Sequence, residues 1–174
     1  MYAVNILAMN KQHPDYYALS IANQIFGDDP FTSRIGARIR VKEGFSYSVG
    51  SGLQLPETED QGLYYTYAIS APENVVSVIS AYQEEVENVV KNGFTQEELN
   101  SAIEGYIKNR SRQWADDEAI AAILIDSQKY DRDLAYYDEQ IEIIKALTLE
   151  QVKSAFVKHI ASKKINLFTA GDFK

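Results

Sequence analysis

The 174-residue sequence contains no cysteine, two histidines and no apolar run long enough to cross a bilayer. Without cysteine the chain can form no disulfide, no thiolate zinc site and no cysteine nucleophile. The formal net charge of −8 argues against nucleic-acid binding, because phosphate contacts need clustered Lys and Arg side chains. What remains is a chain that is 45% hydrophobic, which is enough to build a substantial core in one domain spanning residues 1–174.

The two histidines, His13 and His159, lie at opposite ends of the sequence. His13 is followed by Pro14 and Asp15, so it belongs to neither the H-E-x-x-H nor the inverted H-x-x-E-H zinc motif. The sequence also has no G-x-S-x-G elbow and no glycine loop placed before a helix for phosphate binding. We therefore interpret both histidines as surface residues and predict no metal and no cofactor in this chain.

Hydrophobic periodicity gives a coarse order of elements. Alternating apolar residues predict strands over 2–8, 45–53, 63–70 and 165–170. Asp15 and Ser33 are predicted to cap the first two helices, and Pro72 is predicted to open the third. Two capping boxes, Thr95 with Glu98 and Thr148 with Gln151, mark the starts of two more. Adjacent strands followed by a run of helices predict an α+β fold, an antiparallel sheet with helices packed on one face.

The candidate functional residues lie in the segment SRIGARIRVKEGFSYSVGSG. We expect a short helix, a stop at Gly44 and then a strand, with Arg40 near the helix end and Tyr47 early on the strand. Such a corner can place a guanidinium beside a phenol, a pairing that suits binding a peptide carbonyl or an oxyanion. Judged by spacing alone, the stronger interpretation is structural, with Arg40 a solvated helix residue and Tyr47 part of the sheet core. Arg34, Arg38 and Arg40 are also close enough in sequence to form only a basic patch on a small helix.

The stretch from His13 to Leu53 resembles the C-terminal half of the M16 peptidases, the insulinase, pitrilysin and mitochondrial processing peptidase family. The residues that match the family pattern are Asp15, Ala18, Leu19, Phe26-Gly27, Ser33-Arg34-Ile35, Arg40, Gly44-Phe45, Tyr47 and Val49. Val41 stands where the family commonly has glutamate. The resemblance weakens through the helical section and returns at the end, up to Gly171 and Asp172. It implies an M16/LuxS-like metallohydrolase domain, the last domain of the C-terminal half.

The resemblance also implies a function. In this family the N-terminal half carries the zinc motif with its general-base glutamate, and the C-terminal half supplies an Arg and a Tyr across a closed chamber. Carried over by motif, these two residues are Arg40 and Tyr47. The chain is then expected to be the substrate-binding domain of a zinc metalloendopeptidase, inactive alone, with zinc in a partner half on the same polypeptide or a separate subunit. An exported, periplasmic location fits a bacterial member.

Two alternatives remain open at this point. The chain could be a non-catalytic M16-like scaffold or peptide-binding module. It could also be an unrelated small-ligand domain, in which case Arg40 and Tyr47 would point into separate environments.

Overall fold

The computed structural model describes the backbone of residues 2–7, 9–163 and 165–172. Its four strands are β1 (Tyr2–Leu7), β2 (Ser48–Gln54), β3 (Gly62–Ile69) and β4 (Asn166–Phe168). Its α-helices are α1 (Tyr16–Asn23), α2 (Val75–Asn92), α3 (Gln96–Gln113), α4 (Asp117–Lys129), α5 (Ala135–Lys145) and α6 (Leu149–Phe156). Wider π-helical turns continue α1 over Gln24–Asp28 and α6 over Val157–Ala161, and a separate one spans Gly36–Lys42.

The strands form one antiparallel sheet in the order β2-β3-β1-β4. Along β3 the side chains alternate between a buried face and a partly exposed one, as expected for a sheet covered on one side. Tyr64, Thr66 and Ala68 lie on the buried face, whereas Tyr65 and Tyr67 lie on the other. The predicted α+β architecture is confirmed, although the last residue of the predicted first strand, Ala8, lies outside the described residues.

The core lies between the sheet and the helices, and α1 packs against α6 within it. Phe26 and Phe156 are fully buried where the two helices continue into their π-helical turns, with ring centroids 4.8 Å apart. Phe94 and Tyr82 pack edge-to-face on this pair from neighbouring elements. These large aromatic contacts hold the helical layer together.

Helix ends follow the sequence signals closely. Both predicted capping boxes form: Thr95 Oγ1 accepts from Glu98 N at 3.2 Å, and Thr148 Oγ1 accepts from Gln151 N at 3.3 Å. Gly93 ends α2 in the left-handed region with φ 75°, where glycine is favoured. None of the helices in the described part of the chain is both long and apolar enough to span a membrane.

Two local expectations need correction. The second strand begins at Ser48 rather than at residue 45, so Tyr47 precedes the strand instead of standing on it. Asp15 does precede α1, but its side chain makes no capping hydrogen bond and pairs elsewhere.

Candidate functional site

The corner that carries Arg40 and Tyr47 is built by two buried anchors and one glycine. Ile35 and Ile39 are fully buried and fix the Gly36–Lys42 helix to the core. Phe45 N donates to Ile39 O at 2.9 Å, and Gly44 adopts φ 65°, which lets the chain reverse after the helix.

Ser33 starts this helix as the sequence predicted. Its side chain is buried and its hydroxyl accepts from Gly36 N at 3.2 Å. Gly36 packs tightly on the preceding loop, because a Cβ there would lie 2.6 Å from the carbonyl carbon of Pro30. The close approach brings the loop that carries Phe31 beside the helix.

The three arginines that the sequence groups together have different surroundings. Arg34 makes a bidentate ion pair with Glu98, with N–O distances of 2.7 and 2.8 Å, and also donates to Gly93 O at 2.9 Å. Arg38 pairs with Glu43 and with Glu84, the latter at 2.9 Å. These two side chains tie the segment to its surroundings, so the basic-patch interpretation fails for them.

Arg40 differs from both, because it has no carboxylate partner among the described residues. Its guanidinium instead lies over the Phe31 ring, 4.0 Å from the ring centroid. Phe31 is held in place by Asp29, whose carboxylate accepts from Phe31 N and Thr32 N at 2.8 and 2.7 Å. These hydrogen bonds also lower the pKa of Asp29. Arg40 is therefore oriented by a ring that leaves its N–H donors free for another acceptor.

Tyr47 is 87% exposed, the most exposed of the large hydrophobic side chains that the structure describes. The backbone beside it is nevertheless fixed, because the buried hydroxyl of Ser46 lies 2.8 Å from Ser48 O and 2.7 Å from Ile69 O. The tyrosines of the core behave differently: Tyr64 is buried and its hydroxyl lies 2.9 Å from Thr66 Oγ1. Tyr47 thus presents a free phenol from an anchored backbone.

Arg40 and Tyr47 therefore lie on either side of the Gly44 reversal. Neither side chain makes a hydrogen bond or an ion pair with another described residue. A guanidinium and a phenol with unused donors can bind carbonyl oxygens of a peptide or the anion of a tetrahedral intermediate. The structure records no contact between the two side chains themselves, so their joint action stays a prediction.

A large concave feature lies elsewhere in the fold. It is a cleft of about 750 Å³ between β2, α1 and α3, lined mainly by polar side chains such as Asn23, Gln24 and Asn109. A buried pair crosses its floor, with Ser51 Oγ donating to Asn23 Oδ1 at 2.7 Å. Burial and the neighbouring Asp29 raise the pKa of Asp28 at its rim.

The histidines do not fit a catalytic zinc site of the M16 type, because neither stands in an H-x-x-E-H motif. Their interpretation as two separate surface residues is nevertheless wrong. His159 is only 8% exposed, and its ring centroid lies 5.2 Å from that of His13. Sequence reasoning missed this pair because the two residues are brought together by tertiary packing alone.

Comparison with known proteins identifies the family. Residues 1–106 match the family model described as the peptidase M16 inactive domain. The chain belongs to the M16 peptidase family. The description of the matched M16 model as inactive implies that this chain carries no catalytic zinc. No curated protein matches the sequence.

Solved structures agree on the M16 fold. A crystal structure of a peptidase M16 inactive domain from Pseudomonas fluorescens is 28% identical with a TM-score of 0.79, over 94% of this chain and 39% of that chain. A protease from Helicobacter pylori is 14% identical with a TM-score of 0.75, over 91% of this chain and 38% of that one. The periplasmic protease PqqL from Escherichia coli is 20% identical with a TM-score of 0.71, over 92% and 17%. The chain therefore spans well under half the length of these three relatives.

Proposed function

We propose that this M16 inactive domain is the substrate-binding part of a zinc metalloendopeptidase whose zinc motif lies outside this chain. Arg40 carries the proposal: it is a preoriented cation without a carboxylate partner among the described residues, and an exposed tyrosine follows it across the Gly44 reversal. An arginine that served only stability would be expected to pair, as Arg34 and Arg38 do.

In this proposal the two residues have separate tasks. Arg40 donates to a carbonyl oxygen of the bound peptide, and the hydroxyl of Tyr47 binds the peptide or the oxyanion that forms when water attacks the scissile bond. The zinc and its general base would come from the partner half. The residues of this chain contribute positioning and charge stabilisation, which add nothing measurable without that half.

The proposal is tested by peptide cleavage in the complete enzyme. We expect Tyr47→Phe to lower kcat/KM by about 100-fold, the cost of losing one preorganised oxyanion donor. Arg40→Gln should lower it by a similar factor, because misplacing the bound peptide can cost about 100-fold. Lys42→Gln is the matched control, because Lys42 is an exposed cation on the same helix. Activity near wild type in both site variants would contradict the assignment.

The chain on its own provides a second test. We expect it to cleave no peptide, and to regain a role only when mixed with, or joined to, the zinc-bearing half. Peptide cleavage by the isolated chain would refute the division of labour.

The alternative is a non-catalytic M16 scaffold or peptide-binding module. It is favoured by the contact between Arg40 and Phe31, which already gives the cation a partner within the domain. An H-x-x-E-H motif in a preceding segment or a partner subunit supports the peptidase proposal, and its absence from both supports the scaffold.

A further inference from the structure

The two histidines of the sequence meet at one carboxylate. His13 lies in the turn before α1, and His159 lies in the π-helical turn after α6. Asp15 Oδ2 is 2.8 Å from His159 Nε2 and 4.0 Å from His13 Nδ1, and the two rings are nearly perpendicular, at 88°. A carboxylate between two imidazoles is a set of donors that borderline divalent metals prefer.

We propose that His13, Asp15 and His159 form a binding site for a divalent transition metal of the Zn²⁺ class. One ligand atom from each residue lies within 4.8 Å of the others. Donors bound to one zinc ion at about 2.0–2.2 Å are roughly 3.3 Å apart, so small side-chain movements would close the site. Water would fill the remaining position.

The carboxylate is already prepared for a cation. Asp15 Oδ2 already lies within hydrogen-bond distance of both Lys158 and His159. Lys158 Nζ lies 2.7 Å from Asp15 Oδ2, the same oxygen that faces the histidines. The Lys158 side chain is 59% exposed, so its ammonium can turn into solvent when a metal takes its place.

Metal binding would displace Lys158 from Asp15, and it would also break a hydrogen bond at His13. Its Nδ1 accepts from Asp15 N at 3.0 Å, a contact that fixes the ring while the site is open. Metal binding exchanges this hydrogen bond and the Lys158 contact for metal–ligand bonds. We therefore expect weaker binding than in closed structural zinc sites, and a site that responds to metal concentration.

The position of the cluster suggests what a bound ion would do. It would join the start of α1 to the end of α6, two helices that pack against each other in the core. Because the one carboxylate of the cluster serves as a ligand, the cluster has no second carboxylate to act as a general base beside the ion. We therefore assign the ion a structural or regulatory role. Binding to the folded state alone would raise the melting temperature with metal concentration.

The test is calorimetric titration of Zn²⁺ into the 174-residue chain at pH 7.5, with the melting temperature as second readout. We expect one ion per chain, and a loss of about 10-fold or more in affinity in His13→Gln and Asp15→Asn.

Lys158→Met gives the sharpest comparison, because removing the competing ammonium should increase zinc affinity several-fold. Lys163→Met is its control, an exposed lysine just beyond the same turn. Circular dichroism verifies folding, and His13 is preferred to buried His159 as the ligand to replace. The proposal is overturned if no saturable binding occurs below about 100 µM, if the ligand variants bind as wild type does, or if Lys158→Met does not bind more tightly.

Discussion

Arg34 and Arg40 are six positions apart in the sequence, yet they have opposite surroundings. The guanidinium of Arg34 donates hydrogen bonds to Glu98 and to the carbonyl of Gly93, at the junction of α2 and α3. Arg40 meets an aromatic ring and no carboxylate among the described residues. The first arginine therefore serves the fold, whereas the donors of the second are available to a group outside it.

The largest loss of stability is expected from replacing Arg34, the arginine that has a carboxylate partner. Arg34→Gln leaves Glu98 without its cation in a partly buried setting and removes the hydrogen bond to Gly93 O, so we expect a loss of about 2–3 kcal/mol in the free energy of unfolding. Arg40→Gln should lose less than about 1 kcal/mol. Urea denaturation measures both, and equal losses would erase the distinction between the two arginines.

The dependence of stability on pH should also report on the ion pair between Arg34 and Glu98. Burial alone would raise the pKa of Glu98, but hydrogen bonds from Arg34 and Thr95 outweigh it, and the pKa is lowered. A carboxyl whose pKa falls on folding stabilises the protein above its unfolded pKa of about 4.3 and loses this contribution as pH falls through the folded value.

The difference in unfolding free energy between wild type and Arg34→Gln should therefore shrink between neutral pH and about pH 3. Urea midpoints at several pH values give the comparison directly. A difference that stays constant over this range would mean that the charge on Glu98 does not stabilise the fold.

Buried Tyr64 and exposed Tyr47 should differ less in their effects on the free energy of unfolding. Tyr64→Phe removes the hydroxyl that faces Thr66 in the core, and we expect a loss of about 1–2 kcal/mol. Tyr47→Phe should change the unfolding free energy by less than about 0.5 kcal/mol, because that hydroxyl is exposed. A destabilised Tyr47→Phe variant would show that this side chain belongs to the fold.

A smaller effect than that of Tyr64→Phe is expected at Phe31. Phe31→Leu removes the ring that orients Arg40, at a cost of about 0.5–1 kcal/mol for an exposed cation–π contact. Thermal denaturation should show a small shift, and Thr32→Ser at the same turn is a control that keeps the Asp29 contacts. No shift at all would mean that the contact contributes nothing to stability.

Local signals in the sequence predicted much of the fold. Capping boxes, the glycine after the short helix and alternating strands act over a few residues, so their outcome is visible in the sequence. The start of β2 was missed because Ser46 bonds to Ile69 O, 23 residues away, and Tyr47 is left outside the ladder. The family resemblance, rather than periodicity, singled out Arg40 and Tyr47.

The remaining features depend on long-range packing. Arg34 finds its partner 64 residues away, and Arg38 finds one of its two partners 46 residues away. His159 reaches Asp15 across 144 residues. No spacing rule connects such pairs, so the sequence could not separate structural arginines from an available one, nor bring the two histidines together.

The most direct test of the central claim is kcat/KM for peptide cleavage by the complete enzyme carrying Arg40→Gln, with the melting temperature measured on the same preparation. The proposed role of Arg40 in substrate binding predicts a loss of about 100-fold in kcat/KM, with a melting temperature close to that of the Lys42→Gln control. Turnover equal to that control would contradict it.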